Sequence, residues 1–200
     1  MKFDYVIGNP PYQESDGGNN ASAVPVYQKF IKEAINTQTT SLVMIIPARW
    51  YSGGRGLDDF RKDMLQDKHI KCLVDYVNAD ECFPGVDISG GVCYFLRDSD
   101  YFGDCKVTNV LNNISTTKSR PLDQFSIFIR SNEAVGIVQK VVELSNESNM
   151  ISGYVSSQKP FGLRTYVKPE DKGNLTLRWN GGRGKYPSSK VTAGLDLSKR

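Results

Sequence analysis

Apolar positions change their spacing several times along this chain, and each change marks an element. FDYVIG, residues 3–8, is a short, mostly apolar run and predicts a strand. From Pro25 to Asn36, Tyr27, Phe30, Ile31, Ala34 and Ile35 recur at helical spacing, and Pro25 sits near the start, where a missing N–H costs nothing. SLVMIIP, residues 41–47, is a continuous apolar run closed by proline and predicts a buried, central, parallel strand. Leu57, Phe60, Met64 and Leu65 share one face of a second helix over 56–67, with Asp58 and Asp59 near its start suiting the helix dipole. Strands are predicted over 69–78, 91–98 and 105–112. Residues 81–91 are rich in turn formers and read as a loop. DSDYFGD, between the last two strands, has the composition of a hairpin connection.

Residues 1–112 therefore alternate strand and helix and then close on strands. This predicts an α/β sheet, mostly parallel, with a closing antiparallel hairpin near one edge. Residues 113–150 are expected to hold a polar linker, NNISTTKSRPLD, and a connecting helix over 131–145. After residue 150 the texture turns β-like, with Gly and Pro turns, so 151–200 is expected to begin a separate β-rich domain.

Charge sharpens that division. The whole chain carries +3, but residues 156–200 hold ten basic side chains against three acidic ones. A basic C-terminal section of this kind suggests a nucleic-acid-facing surface. Composition otherwise is that of an ordinary folded protein, 39% hydrophobic and 24% charged, and no apolar run approaches membrane-spanning length. Four cysteines in no CxxC pair and one histidine, His69, argue against structural zinc. With no basic-then-apolar N-terminal segment, the thiols are expected to be free in a reducing cytoplasm.

The chemistry is concentrated where the first strand ends, at Asn9, Pro10, Pro11 and Tyr12. Asn-Pro-Pro-Tyr after a short apolar strand resembles the catalytic loop of amino-methyltransferases that use S-adenosylmethionine. SLVMIIPARW, the helix and strand after it, and CFPGVDISGGVCYFLRD look like the later half of the same catalytic domain. KPFGLRTYV and YPSSKVTAGLDL resemble the opening of target-recognition domains in restriction–modification adenine methyltransferases. The resemblance implies a Rossmann-like class I methyltransferase sheet, duplex DNA as partner and N6 of adenine as the methyl acceptor.

An adenine amine is a poor nucleophile, because its lone pair is delocalised into the ring. Two acceptors aimed at its two N–H bonds can orient it and favour a more tetrahedral nitrogen. By resemblance these would be the Asn9 side-chain oxygen and the Pro10 carbonyl, with the prolines holding the backbone rigid. Tyr12 would stack on a base drawn out of the duplex, and Phe83 of the "FP" loop would lie against its other face. Pro11 would touch the cofactor. Lys159, Arg164, Arg183, Lys185 and Lys190 would contact DNA.

The family places a Gly-containing cofactor loop before its Asn-Pro-Pro-Tyr, and eight residues precede Asn9 here. The chain is accordingly expected to be an internal segment of a larger methyltransferase, nearly inactive and weak in cofactor binding alone. The strand at 3–8 is then expected to be a bare sheet edge, covered by self-association or by another segment. Two alternatives stay open: a non-catalytic DNA-binding remnant, and a piece of an RNA or protein-glutamine methyltransferase.

Overall fold

A computed structural model describes residues 3–14, 24–54, 56–145, 169–170, 172–179 and 182–187. The chain divides into two compact units, Met1–Gln139 and Lys140–Arg200. The first holds strands β1 (Tyr5–Gly8), β2 (Gln13–Glu14), β3 (Val24–Pro25), β4 (Ser41–Pro47), β5 (Ile70–Tyr76), β6 (Val92–Asp98), β7 (Cys105–Leu111) and β8 (Ile114–Arg120), and helices α1 (Tyr27–Asn36) and α2 (Asp58–Gln66). Helix α3 (Asn132–Leu144) follows across the division. Six strands form one sheet in the order β1-β4-β6-β5-β7-β8. β1 pairs parallel with β4 and β5 parallel with β7, while β6 is antiparallel to both its neighbours and β8 is antiparallel to β7.

The α/β class and the three helices agree with the hydrophobic pattern. The core is built where that pattern is strongest. Leu42, Met44 and Ile46 alternate inward along β4, and Tyr27, Ile31 and Ala34 of α1 and Met64 and Leu65 of α2 are buried with them in one cluster. Phe30, placed by spacing on the inner face of α1, is instead 48% exposed.

Three expectations are corrected. Strands 92–98 and 105–111 form no hairpin with each other. β6 inserts between β4 and β5, and DSDYFGD crosses the end of β5 to start β7 on its far side. That connector is tied down on the way: Ser99 N donates to Thr40 O at 2.8 Å, Gly103 N to Lys68 O at 3.1 Å, and the His69 ring meets Tyr101 O at 2.7 Å. The physical reason is burial. Val92, Cys93 and Phe95 are all fully buried, which an interior strand satisfies and an edge hairpin does not. Second, the sheet is mixed and not mostly parallel: three of its five pairings are antiparallel, mid-sheet as well as at the edge. Third, the expected linker holds β8, which pairs with β7 from Cys105↔Arg120 to Leu111↔Ile114. Its polarity reflects an edge strand whose faces are largely exposed, not an absence of structure.

β1 pairs on one side only among the described residues, as expected of the strand at 3–8. Tyr5 and Ile7 are 74% and 79% exposed, whereas Val6 packs against the core. In the second unit, β9 (Leu175–Trp179) and β10 (Gly182–Tyr186) form an antiparallel pair. Glu170 N donates to Lys185 O beside it at 2.8 Å. The β-like stretch predicted over 152–167 lies outside the described residues. No helix among the described residues is long and apolar enough to cross a membrane.

One buried ion pair closes the far end of the sheet. Asp75 of β5 is fully buried, and Arg130 reaches it with Nη2 to Oδ1 at 2.6 Å and Nε to Oδ2 at 2.8 Å. Asn132 joins this end too, accepting a bond from Arg120 and donating to the carbonyls of Val107 and Thr116. Arg130→Met should therefore cost about 3 kcal/mol of folding stability, because it strands the Asp75 carboxylate away from water. Adding Asp75→Ala should recover part of that loss; chemical denaturation of both variants measures it.

Candidate functional site

β1 ends at Gly8, where a side chain would press on Met44, whose Sδ would lie 3.0 Å from a Cβ. The chain then turns through Asn9, Pro10, Pro11 and Tyr12. Pro10 is buried, Tyr12 is partly buried, and Asn9 and Pro11 are exposed. The loop is pinned at its far side, where Val26 N donates to Tyr12 O at 3.2 Å and Gln13 and Glu14 bridge to Pro25 and Val24.

A second wall comes from the end of β4. Pro47 closes the strand, and residues Ala48–Tyr51 make one tight turn. Trp50 is fully buried and packs edge-on against Tyr51 and Phe60, with ring centroids 4.8 Å and 5.8 Å away. Arg61, itself buried, donates Nε to Trp50 O at 2.7 Å and Nη2 to Gly53 O at 3.0 Å. With Ala48 and Trp50 held inside, Arg49 between them projects outward. The third wall is the loop before β6, residues 87–89, brought alongside when Ala48 N bonds Gly91 O at 3.0 Å.

These walls enclose an open cleft of about 610 Å³, within the roughly 300–1,000 Å³ typical of small-molecule sites. Asn9, Pro10, Pro11 and Tyr12 all line it, together with Tyr27, Arg49 and Asp87. Two phenols in this lining are buried at their hydroxyls with no hydrogen-bond partner among the described residues, Tyr12 and Tyr27. The Asn9 amide lies beside the Tyr12 hydroxyl without reaching hydrogen-bond geometry. Burial above all, and then the thiols of Cys82 and Cys93, raise the Tyr12 phenol above its ordinary range, with Asn9 acting the other way. Tyr27 is raised further, again by burial first and then Cys93, with Arg49 opposing. Both hydroxyls therefore keep their protons at neutral pH and stand as donors.

The structure brings the Asn9–Tyr12 loop into one cleft, as the sequence suggested. Phe83 is partly buried and does not line it; its loop contributes Asp87, Ile88 and Ser89 instead. Arg49 and Tyr27 were missed by motif reading. Arg49 follows a strand-ending proline, a signal that could have found it; Tyr27 was assigned to the core by its spacing and is both core and cleft wall. Of the basic residues expected to meet DNA, Lys185 is exposed on β10 and Arg183 lies on the same strand, while Lys159, Arg164 and Lys190 lie outside the described residues.

Beneath the cleft lies Cys93, fully buried beside the Tyr51 hydroxyl and the Trp50 indole N–H. Burial pushes its thiol up to about 12, and Cys105 likewise to about 12. All four cysteines are free.

Against known proteins, residues 1–83 match the model of the Eco57I restriction-modification methylase family. An adenine-specific methylase of Mycoplasma pneumoniae is 40% identical over 108 residues, which is 52% of this chain and 25% of that protein. The match thus spans about a quarter of the relative's length. Among solved structures, the methyltransferase subunit of a type I restriction-modification system from Streptococcus thermophilus aligns with 73% of this chain and 33% of its own, at TM-score 0.43 and 14% identity. The type IIG restriction endonuclease BpuSI aligns with 72% of this chain and 17% of its own, at TM-score 0.39 and 15% identity. Both structural likenesses are remote. The resemblance to restriction–modification adenine methylases read from the sequence is borne out by the family match and the adenine-specific relative.

The raised thiols yield a test. Cys93 and Cys105 should stay unmodified by a thiol-specific disulfide reagent at pH 8 in the folded chain, while Cys72 and Cys82 react; in denaturant all four should react. Between about pH 9 and 12 the unfolded chain loses the Cys93 proton and the folded chain keeps it. Stability should be complete below pH 9 and fall as pH rises through that window, read as a declining melting temperature.

Proposed function

From a chain that resembles the restriction–modification adenine methylases, we propose that this protein holds the target base for S-adenosylmethionine-dependent methylation of adenine N6 in double-stranded DNA. The observation that carries this is the convergence of Asn9, Pro10 and Tyr12 on one cleft of base-accommodating size. The Asn9 side-chain oxygen, exposed at the cleft, and the Pro10 carbonyl, on a buried and φ-locked residue, are the two acceptors for the exocyclic N–H bonds. Each bond drawn toward an acceptor concentrates the nitrogen lone pair and fixes its direction. Tyr12 offers an aromatic face to the extruded base. The Tyr27 hydroxyl, buried without a partner among the described residues, is a donor suited to a ring nitrogen, and a bound base would relieve its burial cost. No charged general base is required, since the amine proton can leave after the methyl group arrives.

S-adenosylmethionine supplies, when bound, an electrophilic methyl group on a sulfonium cation. Asp87 is the carboxylate of the cleft lining and the group there suited to that positive charge. Pro11, two residues after Asn9, is exposed and lines the same cleft, a position consistent with a cofactor contact. The basic residues after 150, Lys185 among them, suit the phosphate backbone of the duplex.

Duplex probes with one mispaired adenine, or with purine, which lacks the 6-amino group, separate these roles. The wild-type chain should prefer adenine, and Asn9→Ala should abolish the preference while retaining purine binding. Tyr12→Ala should weaken both probes by roughly tenfold or more, the loss of one base–aromatic stack worth about 1–3 kcal/mol. Equal binding of adenine and purine by the wild-type chain would remove Asn9 from the role.

A further inference from the structure

A second cleft, of about 480 Å³, adjoins the first and shares Arg49 and Ser89 with it. Its chemistry is different. Ser52, Gly53 and Gly54 form one side, and Ser89 and Gly90 the other. Gly54 and Gly90 take φ of +93° and +90°, so both loops present main chain and small hydroxyls where other residues would present bulk. A Cβ on Gly90 would already touch Arg49 Cγ, at 3.7 Å. No carboxylate lines this cleft among the described residues.

Two guanidinium groups reach it. Arg130 is matched by Asp75 through two short bonds, so its charge is spoken for. Arg49 is exposed, makes one long bond, Nε to Ser89 O at 3.4 Å, and forms no ion pair among the described residues. An unmatched cation thus stands at the junction of an aromatic, proline-walled cleft and a glycine- and hydroxyl-walled one. A base drawn from a duplex stays attached to its strand. Any cleft that takes the base must therefore meet the sugar–phosphate beside it.

Resting on the assignment of the first cleft to the target base, we propose that the second cleft seats the phosphodiester flanking that base, with Arg49 donating to its oxygens. The guanidinium fork matches two phosphate oxygens, and the glycine loops leave room for the backbone to approach. Arg49 fixes the strand, and the base enters the neighbouring cleft from that anchor.

Fluorescence anisotropy with two duplexes tests this, one carrying a mispaired adenine and one an abasic site at the same position. Arg49→Ala should weaken both about fivefold to tenfold and reduce the slope of log affinity against log salt by about 0.9, the share of one phosphate contact. Arg49→Lys should keep the slope. Arg49→Gln, which keeps the side chain's bulk, should lose it as the alanine does, and serves if the alanine variant does not fold. An unchanged slope with unchanged affinity for the abasic duplex overturns the proposal, and so does a wild-type chain that binds neither probe. If the wild-type chain binds both duplexes alike while Arg49→Ala still loses its slope, the base assignment fails and the phosphate site stands.

Discussion

The site depends on the antiparallel pairing of β4 with β6. Register aligns Pro47 with Val92, and the next hydrogen bond runs from Ala48 N to Gly91 O. That bond sets the turn after β4 beside the loop before β6, and both clefts lie along the seam. Gly91 is the constraint that makes the seam possible. Its φ is +78°, and a Cβ there would overlap the Tyr76 carbonyl oxygen. A side chain at this position would force β5 and β6 apart and with them the two walls that carry Arg49 and Ser89.

Polar burial is placed with the same economy. Asp75, Arg130, Asn109 and Asn132 satisfy one another at the end of the sheet beside the second cleft, where Asn109 Oδ1 accepts from Asn132 N at 3.0 Å. The first cleft is the opposite case. Tyr12 and Tyr27 keep buried hydroxyls without partners among the described residues, a cost that a folded protein seldom leaves in place without use. The hydrogen-bonded network at the end of the sheet thus stands near two phenols of the first cleft that have no hydrogen-bond partner among the described residues.

Much of the local structure was legible in the residues. The period of Tyr27, Ile31 and Ala34 located α1, the SLVMIIP run located β4, and Asn-Pro-Pro-Tyr located the loop that lines the cleft. Phe83 was drawn to the site by motif and lies outside its lining, because the loop turns so that residues 87–89 face the cleft. Arg49 carries no motif; its outward direction follows from the burial of Ala48 and Trp50 on either side, which depends on packing against α2 and Phe128.

The amino-acid order by itself determined most of the elements, the α/β class and the position of the Asn9–Tyr12 loop, because period, proline and glycine act over a few residues. Strand order was decided only in three dimensions. DSDYFGD is as compatible with a hairpin as with a crossing, and the choice was made by fully burying Val92, Cys93 and Phe95 between two neighbours. The polar strand 114–120 became an edge for the same reason, since the interior places were taken by more apolar strands. The union of three separate segments into two adjoining clefts follows from that order, and no stretch of the chain encodes it locally.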